Sequence, residues 1–272
     1  MTNMLRIPGT LPPGFTAYAD APPTQTPEEI AVGQSTLLAY WLDPAATYLP
    51  ADVNGKRSWA ERMNGALMKN RTDVGTTAPT LTTAINSKPT VSMAATTALT
   101  SASVNVNAGA WSIACVGKGA DSTTRFLTGQ NPTTSVAGNY GPSIAIYLGQ
   151  TIRIYDEANA SRLDATNVLT AMAAFTIVVG FSTSRGLTIR LNGTQVAQAG
   201  GATQALTRTQ LQIGQNKNTA GSAWSGALGD FLIYNADITE PLPGSGATDA
   251  QKAQAAALAS CEAYLRAKYA TW

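Results

Sequence analysis

The sequence predicts an all-β fold: a two-sheet antiparallel sandwich with an extended proline-rich N-terminal arm and one C-terminal α-helix. Three observations carry this. Runs rich in β-branched and aromatic residues recur between Gly, Asn and Asp turns after residue 110. Pro8, Pro12, Pro13, Pro22, Pro23 and Pro27 crowd residues 1–35. There, fixed φ and missing N–H donors exclude a long helix or a central strand. A helical hydrophobic period enters only after Thr248.

The elements follow in chain order. Leu37 to Leu42 suits a short strand ended by Asp43-Pro44, Val53-Asn54-Gly55 a turn, and Trp59 a second extended piece. Trp41 and Trp59 are expected to fix these pieces to the core. Residues 63–109, rich in Thr, Ala, Ser and Asn, read as loops and short strands. Strands are expected at 111–117, 125–128, 143–148, 151–155, 175–182, 187–191, 210–213 and 228–234. In Thr151-Ile-Arg-Ile-Tyr155, Ile152 and Ile154 share one face and Arg153 and Tyr155 the other. Asn192-Gly193 between alternating runs marks a type I′ hairpin, whose central residues both need positive φ. Thr248 and Gln251 form a capping box opening a helix over 248–269. On it, Leu258, Cys261, Tyr264 and Leu265 read as a stripe packed on a sheet. The arm, 1–35, is thus distinguished from a sandwich over 36–272.

Composition narrows the function. Charged residues are 12% of the chain and the net charge is +2, which argues against nucleic acid or an anionic membrane as partner. No run approaches the roughly 18 apolar residues of a membrane span, and the N-terminus lacks the apolar stretch of a signal peptide. The absence of histidine removes His-based triads and the commonest metal ligand. Two cysteines, Cys115 and Cys261, cannot form a zinc site alone and read as buried thiols, although one disulfide is also within their reach.

No glycosidase-type Glu-x-Asp-x-x-Glu occurs, and the adjacent pair Asp156-Glu157 reads as a solvated turn rather than two carboxyls set for hydrolysis. Ser222 and Ser245 sit in glycine-rich turns with no base to activate them, and GKGADSTTR lacks the ending of a phosphate-binding loop. No enzyme is expected, and no cofactor. Calcium stays open, with Asp121, Asp156, Asp164 and Asp230 near strand ends but no spacing that specifies a site. For a glycan, Trp224 with Asn216 and Asn218 nearby is the candidate stacking platform, against a role in capping the core.

Taken in order, AYWLDP, SWAERMNG, AFTIVVGFS, LTIRLNGTQVA, LQIGQN, WSGALGDFLIYNADIT and CEAYLRAKY resemble a concanavalin A-like, laminin G-like jelly roll over residues 36–272. The low-charge, Thr/Ala/Gly-rich domain behind a short leader also looks like those of tailed-bacteriophage virion proteins. That resemblance implies a structural protein of the virion, a capsid decoration or cement protein bound to the major capsid protein, with self-association as a further partner mode. The arm would dock on a partner subunit through Leu5, Ile7, Leu11, Phe15 and Tyr18, whose irregular spacing suits separate pockets. The alternative is a glycan-binding receptor-recognition protein of the tail tip, fibre or baseplate.

Overall fold

The structure is a computed structural model. It describes residues 25–45, 58–63, 67–70, 78–94, 97, 99–100, 109–130, 143–156, 162–200, 211–214, 223–240 and 244–272. The turn expected at Val53-Asn54-Gly55 lies outside them. Helix α1 (Pro27–Gly33) comes first. Then come β1 (Leu38–Leu42), β2 (Trp59–Ala60), β3 (Leu67–Asn70), β4 (Thr80–Ile85), β5 (Lys88–Met93), β6 (Leu99–Thr100), β7 (Ala110–Gly119) and β8 (Arg125–Gln130). They are followed by β9 (Ser143–Tyr147), β10 (Thr151–Tyr155), β11 (Arg162–Ala165), β12 (Ala174–Ser182), β13 (Gly186–Leu191), β14 (Thr194–Ala199), β15 (Leu211–Ile213), β16 (Gly226–Tyr234) and helix α2 (Asp249–Tyr269).

The strands form two antiparallel sheets. The first has the order β14-β13-β12-β7-β16-β5-β4, with β1 also on β16; the second has the order β11-β10-β9-β8-β15-β6-β3-β2. Between them lies a core that includes Trp59, Trp111, Ile113, Cys115, Ile144, Ile152, Ile177 and Phe231. A second apolar layer lies outside the first sheet, under α2: Ala114, Val116, Val178, Leu232 and Tyr234 meet Leu258, Cys261, Tyr264 and Leu265. Central strands β7 and β12 are therefore buried on both faces. That is why WSIACV and FTIVVGF read as continuous apolar runs instead of alternating with polar residues. Trp59 joins the inter-sheet core and Trp41 the layer under α2.

Local signals set the ends of elements. Asn192 and Gly193 take φ of 49° and 79°, the left-handed pair that the β13–β14 hairpin needs. Thr248 accepts from the Gln251 N–H while its own N–H is held by the Gln251 side chain. The expectation of an extended 1–35 fails at residues 27–33. Thr26 and Glu29 form a capping box, Pro27 supplies a preset φ in the first turn, and one short helix results. Proline excludes helix interiors, not helix starts.

Asp230, one of the acids the sequence places near strand ends, points away from the inter-sheet core into the layer beneath α2 and not into solvent. The register of β16 on β7 slips between Leu228 and Phe231. Three residues apart, these two would face opposite ways on a regular strand. The bulge lets both enter the core and turns the intervening Asp230 toward the helix. Its carboxylate, fully buried, accepts from Trp41 Nε1 (2.7 Å), Tyr264 OH (2.8 Å) and Tyr269 OH (2.6 Å), and pairs with Lys268 Nζ (2.7 Å). Lys268 also reaches Asp43 at 3.2 Å, and Arg62 meets Asp43 at 2.8 Å.

Burial pulls the Lys268 ammonium down, but the Asp230 and Asp43 carboxylates outweigh it and the net shift is upward. The Tyr264 and Tyr269 hydroxyls are raised, first by burial and then by the Asp230 charge. A raised folded-state pKa gives stability that is present below the unfolded value, 10.0 for Tyr and 10.5 for Lys, and lost as pH climbs through the folded one. Urea midpoints should therefore hold steady to about pH 9 and fall above about pH 10; a flat profile to pH 11.5 would contradict this. Asp230→Ala, which leaves the buried Lys268 with Asp43 alone and takes the acceptor from Trp41, Tyr264 and Tyr269, should cost about 3–5 kcal/mol at neutral pH.

Gly229 lies in the same bulge, and a Cβ there would sit 2.7 Å from Tyr269 Cζ and 2.9 Å from Val116 Cβ. Gly229→Ala should destabilise by about 1–3 kcal/mol through overpacking, read from the same urea transitions.

Candidate functional site

Trp224 is not an exposed platform. It is 1% exposed, its ring meets Phe175 edge-on with centroids 6.2 Å apart, and its backbone N–H is held by the Gly214 carbonyl at 2.6 Å. Apolar area drew it into the core, the outcome that large aromatics favour. Asn216 and Asn218 lie outside the described residues, as do the arm anchors Leu5, Ile7, Leu11, Phe15 and Tyr18 and the acid Glu157. Trp224, Phe175, Ile146, Arg125 and Met172 line a cavity of about 10 Å³. That is room for roughly one water and not for a sugar. Trp224 Nε1 has no hydrogen-bond partner among the described residues, so Trp224 acts through its buried ring, and Trp224→Ala should cost about 3–5 kcal/mol, as thermal melts would show.

The remaining sequence candidates are held by structural contacts. Asp121 pairs with Arg125 at 2.6 Å, and that hydrogen bond holds its carboxyl well below the usual range. Asp156, expected in a solvated turn, is instead 1% exposed, drawn in at the end of β10. Among the described residues no group of three or more His, Cys, Asp or Glu is placed to hold a metal ion. Cys115 and Cys261 are free and buried, and burial pushes the Cys261 thiol up to about 12, which removes the thiolate that reactivity needs. Ser245 is exposed in a turn. Among the described residues no helix is long and apolar enough to cross a membrane.

A different set of residues is brought together on the outer face of the second sheet. Ile144, Ile146, Ile152, Ile154 and Ala165 enter the core, so alternation turns Tyr147, Arg153, Tyr155, Arg162 and Asp164 the other way. Register places Arg153 opposite Asp164 and Tyr155 opposite Arg162. Arg153 donates Nε and Nη2 to the two Asp164 oxygens at 2.8 and 2.9 Å, a bidentate fork. Its Nη1 approaches Tyr155 OH at 3.5 Å. Its guanidinium lies 4.4 Å from the Tyr147 ring centroid. Arg162 reaches Asp164 at 3.3 Å while its side chain stays 54% exposed.

Tyr147 is 38% exposed, and the next residue, Leu148, is 58% exposed with φ of 50°. Met172, whose neighbour Ala171 packs near Gly149, is 54% exposed with φ of 62°. Leu148 and Gly149 (φ of 68°) take the left-handed pair that the tight turn between β9 and β10 needs. The strip from Tyr155 past Arg153 to Tyr147 follows about 14 Å of strand, ending at this apolar tip. It offers ring faces for the C–H faces of a sugar and fixed N–H donors for its oxygens. Sequence alternation had put Arg153 and Tyr155 together on the face opposite Ile152 and Ile154. Tyr147 and Arg162 carried no such signal, because the pairings of β9 and β11 with β10 join them to the strip.

No protein-family model and no curated protein matches the chain. Solved structures do. The chain is similar to domain 4 of AbnA, a GH43 extracellular arabinanase from Geobacillus stearothermophilus, in complex with arabinotriose. That match has a TM-score of 0.55 at 10% identity and covers 74% of this chain and 93% of that one. It is also similar to the binding domain of botulinum neurotoxin DC in complex with rat synaptotagmin II, with a TM-score of 0.50 at 14% identity over 82% of this chain. The chain spans about half, 52%, of that toxin domain. At these identities the likeness shows the fold alone: a two-sheet antiparallel β-sandwich, as the sequence predicted.

Proposed function

We propose that the chain is a non-catalytic glycan-binding module whose site is the Tyr147–Arg153–Tyr155 strip on the second sheet. The observation that carries this is the Tyr147 ring, left partly exposed while Arg153 stacks on it and Asp164 locks Arg153 in place. A ring and a guanidinium held this way are arranged before any ligand arrives, which lowers the ordering cost of binding. A fold shared with a domain solved with arabinotriose supports the same reading. Binding without hydrolysis is favoured because the acid on this strip, Asp164, is tied to two arginines, and retaining or inverting chemistry needs a pair of carboxyls with room between them.

Within the virion setting that the sequence resemblance implies, this reading corresponds to the receptor-recognition alternative, which the fold shared with a domain solved with arabinotriose supports better than capsid decoration. A glycan array with the full chain tests the proposal. Tyr147→Ala should weaken binding to its hits by roughly tenfold or more, about 1.4 kcal/mol, with the melting temperature nearly unchanged. Wild-type protein that binds no glycan, or a Tyr147→Ala variant that binds as well as wild type, would refute it.

A further inference from the structure

We infer that the sugar taken by this strip carries a carboxylate. The inference rests on the glycan-binding reading above and adds the ligand's charge. Among the described residues of this face two cations, Arg153 and Arg162, stand against one acid, Asp164. Asp164 takes Arg153 Nε on Oδ1, and Arg153 Nη2 and Arg162 Nη2 on Oδ2. Arginines thus occupy both of its oxygens.

A neutral sugar is held through hydroxyls that both donate and accept, and a site for it commonly supplies acceptors as well as donors. This strip's carboxylate is already engaged by guanidinium N–H groups, so what it presents to a ligand is chiefly donors. Arg162, half in solvent, spends one edge on Asp164, and its remaining N–H groups suit a planar, two-oxygen acceptor. A carboxylate fits that fork, and the adjacent Tyr155 and Tyr147 rings suit the sugar carrying it. Arginine stays charged at every working pH, so binding should not vary between pH 5 and 9, and it should weaken as salt is raised.

The experiment uses the full chain against a panel of uronate- and sialate-bearing oligosaccharides. Each is paired with its methyl ester, and neutral and sulfated chains are included. The expected result is binding to acids at least about tenfold tighter than to their esters. Arg162→Ala should abolish that preference, bringing acid and ester affinities to within about twofold of each other, with the melting temperature as in wild type. Equal affinity for acid and ester, or binding confined to neutral or sulfated chains, would overturn the carboxylate inference and leave the glycan reading standing. An acid preference that survives Arg162→Ala would overturn its assignment to this strip. Binding to nothing in the panel would overturn the glycan reading itself, and the inference with it.

Discussion

One buried carboxylate organises the layer outside the first sheet. Asp230 gathers an indole from β1, two phenols and an ammonium from α2, and so ties three elements distant in sequence to one point. A lone carboxylate at that depth would be ruinous, since ions lose most of their hydration on burial. Four donors match the roughly four lone-pair directions of the ionised group. The bulge in β16 is what makes this possible, by putting Leu228 and Phe231 in the inter-sheet core and Asp230 outside it. Asp43 and Arg62 extend the network to the segment after β1, and Glu29 of α1 joins at 3.3 Å from Arg62. The cluster is a clamp for the helix and not a site for chemistry, because its polar atoms are spent on one another.

That clamp has a consequence for function. Helix α2 and Val32 of α1 cover the outside of the first sheet. Among the described residues, the outward group of Tyr147, Arg153, Tyr155, Arg162 and Asp164 lies instead on the second sheet, along β9, β10 and β11, beside the buried Ser143, Ala145 and Thr151. The division of labour is physical. Outward positions on β7 and β12 are small or apolar, such as Ala114, Val116 and Val178, and they accept a helix. Those on β10 and β11 are Arg153, Tyr155, Arg162 and Asp164, whose desolvation no helix face could offset. A chain with so few charged residues nonetheless concentrates three of them in one mutually bonded group on that edge.

The low overall charge and the site belong together. With a net charge of +2 there is no long-range field to draw an anionic partner from a distance. On the glycan-binding reading, contact rests on local geometry: a guanidinium fixed by a bidentate partner, stacked on one ring and close to the hydroxyl of another. Apolar residues at the adjoining tip, Leu148 and Met172, stay exposed.

What the sequence determined by itself was whatever depends on neighbours a few residues apart. The strands after residue 110 followed from runs of β-branched and aromatic residues, the β13–β14 turn from Asn192-Gly193, and the start of α2 from Thr248 and Gln251. The face shared by Arg153 and Tyr155 followed from alternation in TIRIY. Tertiary structure decided the rest, because it depended on pairings that no local rule encodes. Trp224 was a candidate platform set against a role in capping the core, which its large apolar area favoured, and its packing on Phe175 settled it for the core. Asp230 was one acid among several near strand ends until the slip of β16 on β7 aimed it beneath the helix. Tyr147 and Arg162, about fifteen residues apart in sequence, became neighbours of Arg153 only through strand register, since side chains on adjacent strands meet according to which residues hydrogen-bond across the sheet, and that is set by the packing of the whole core.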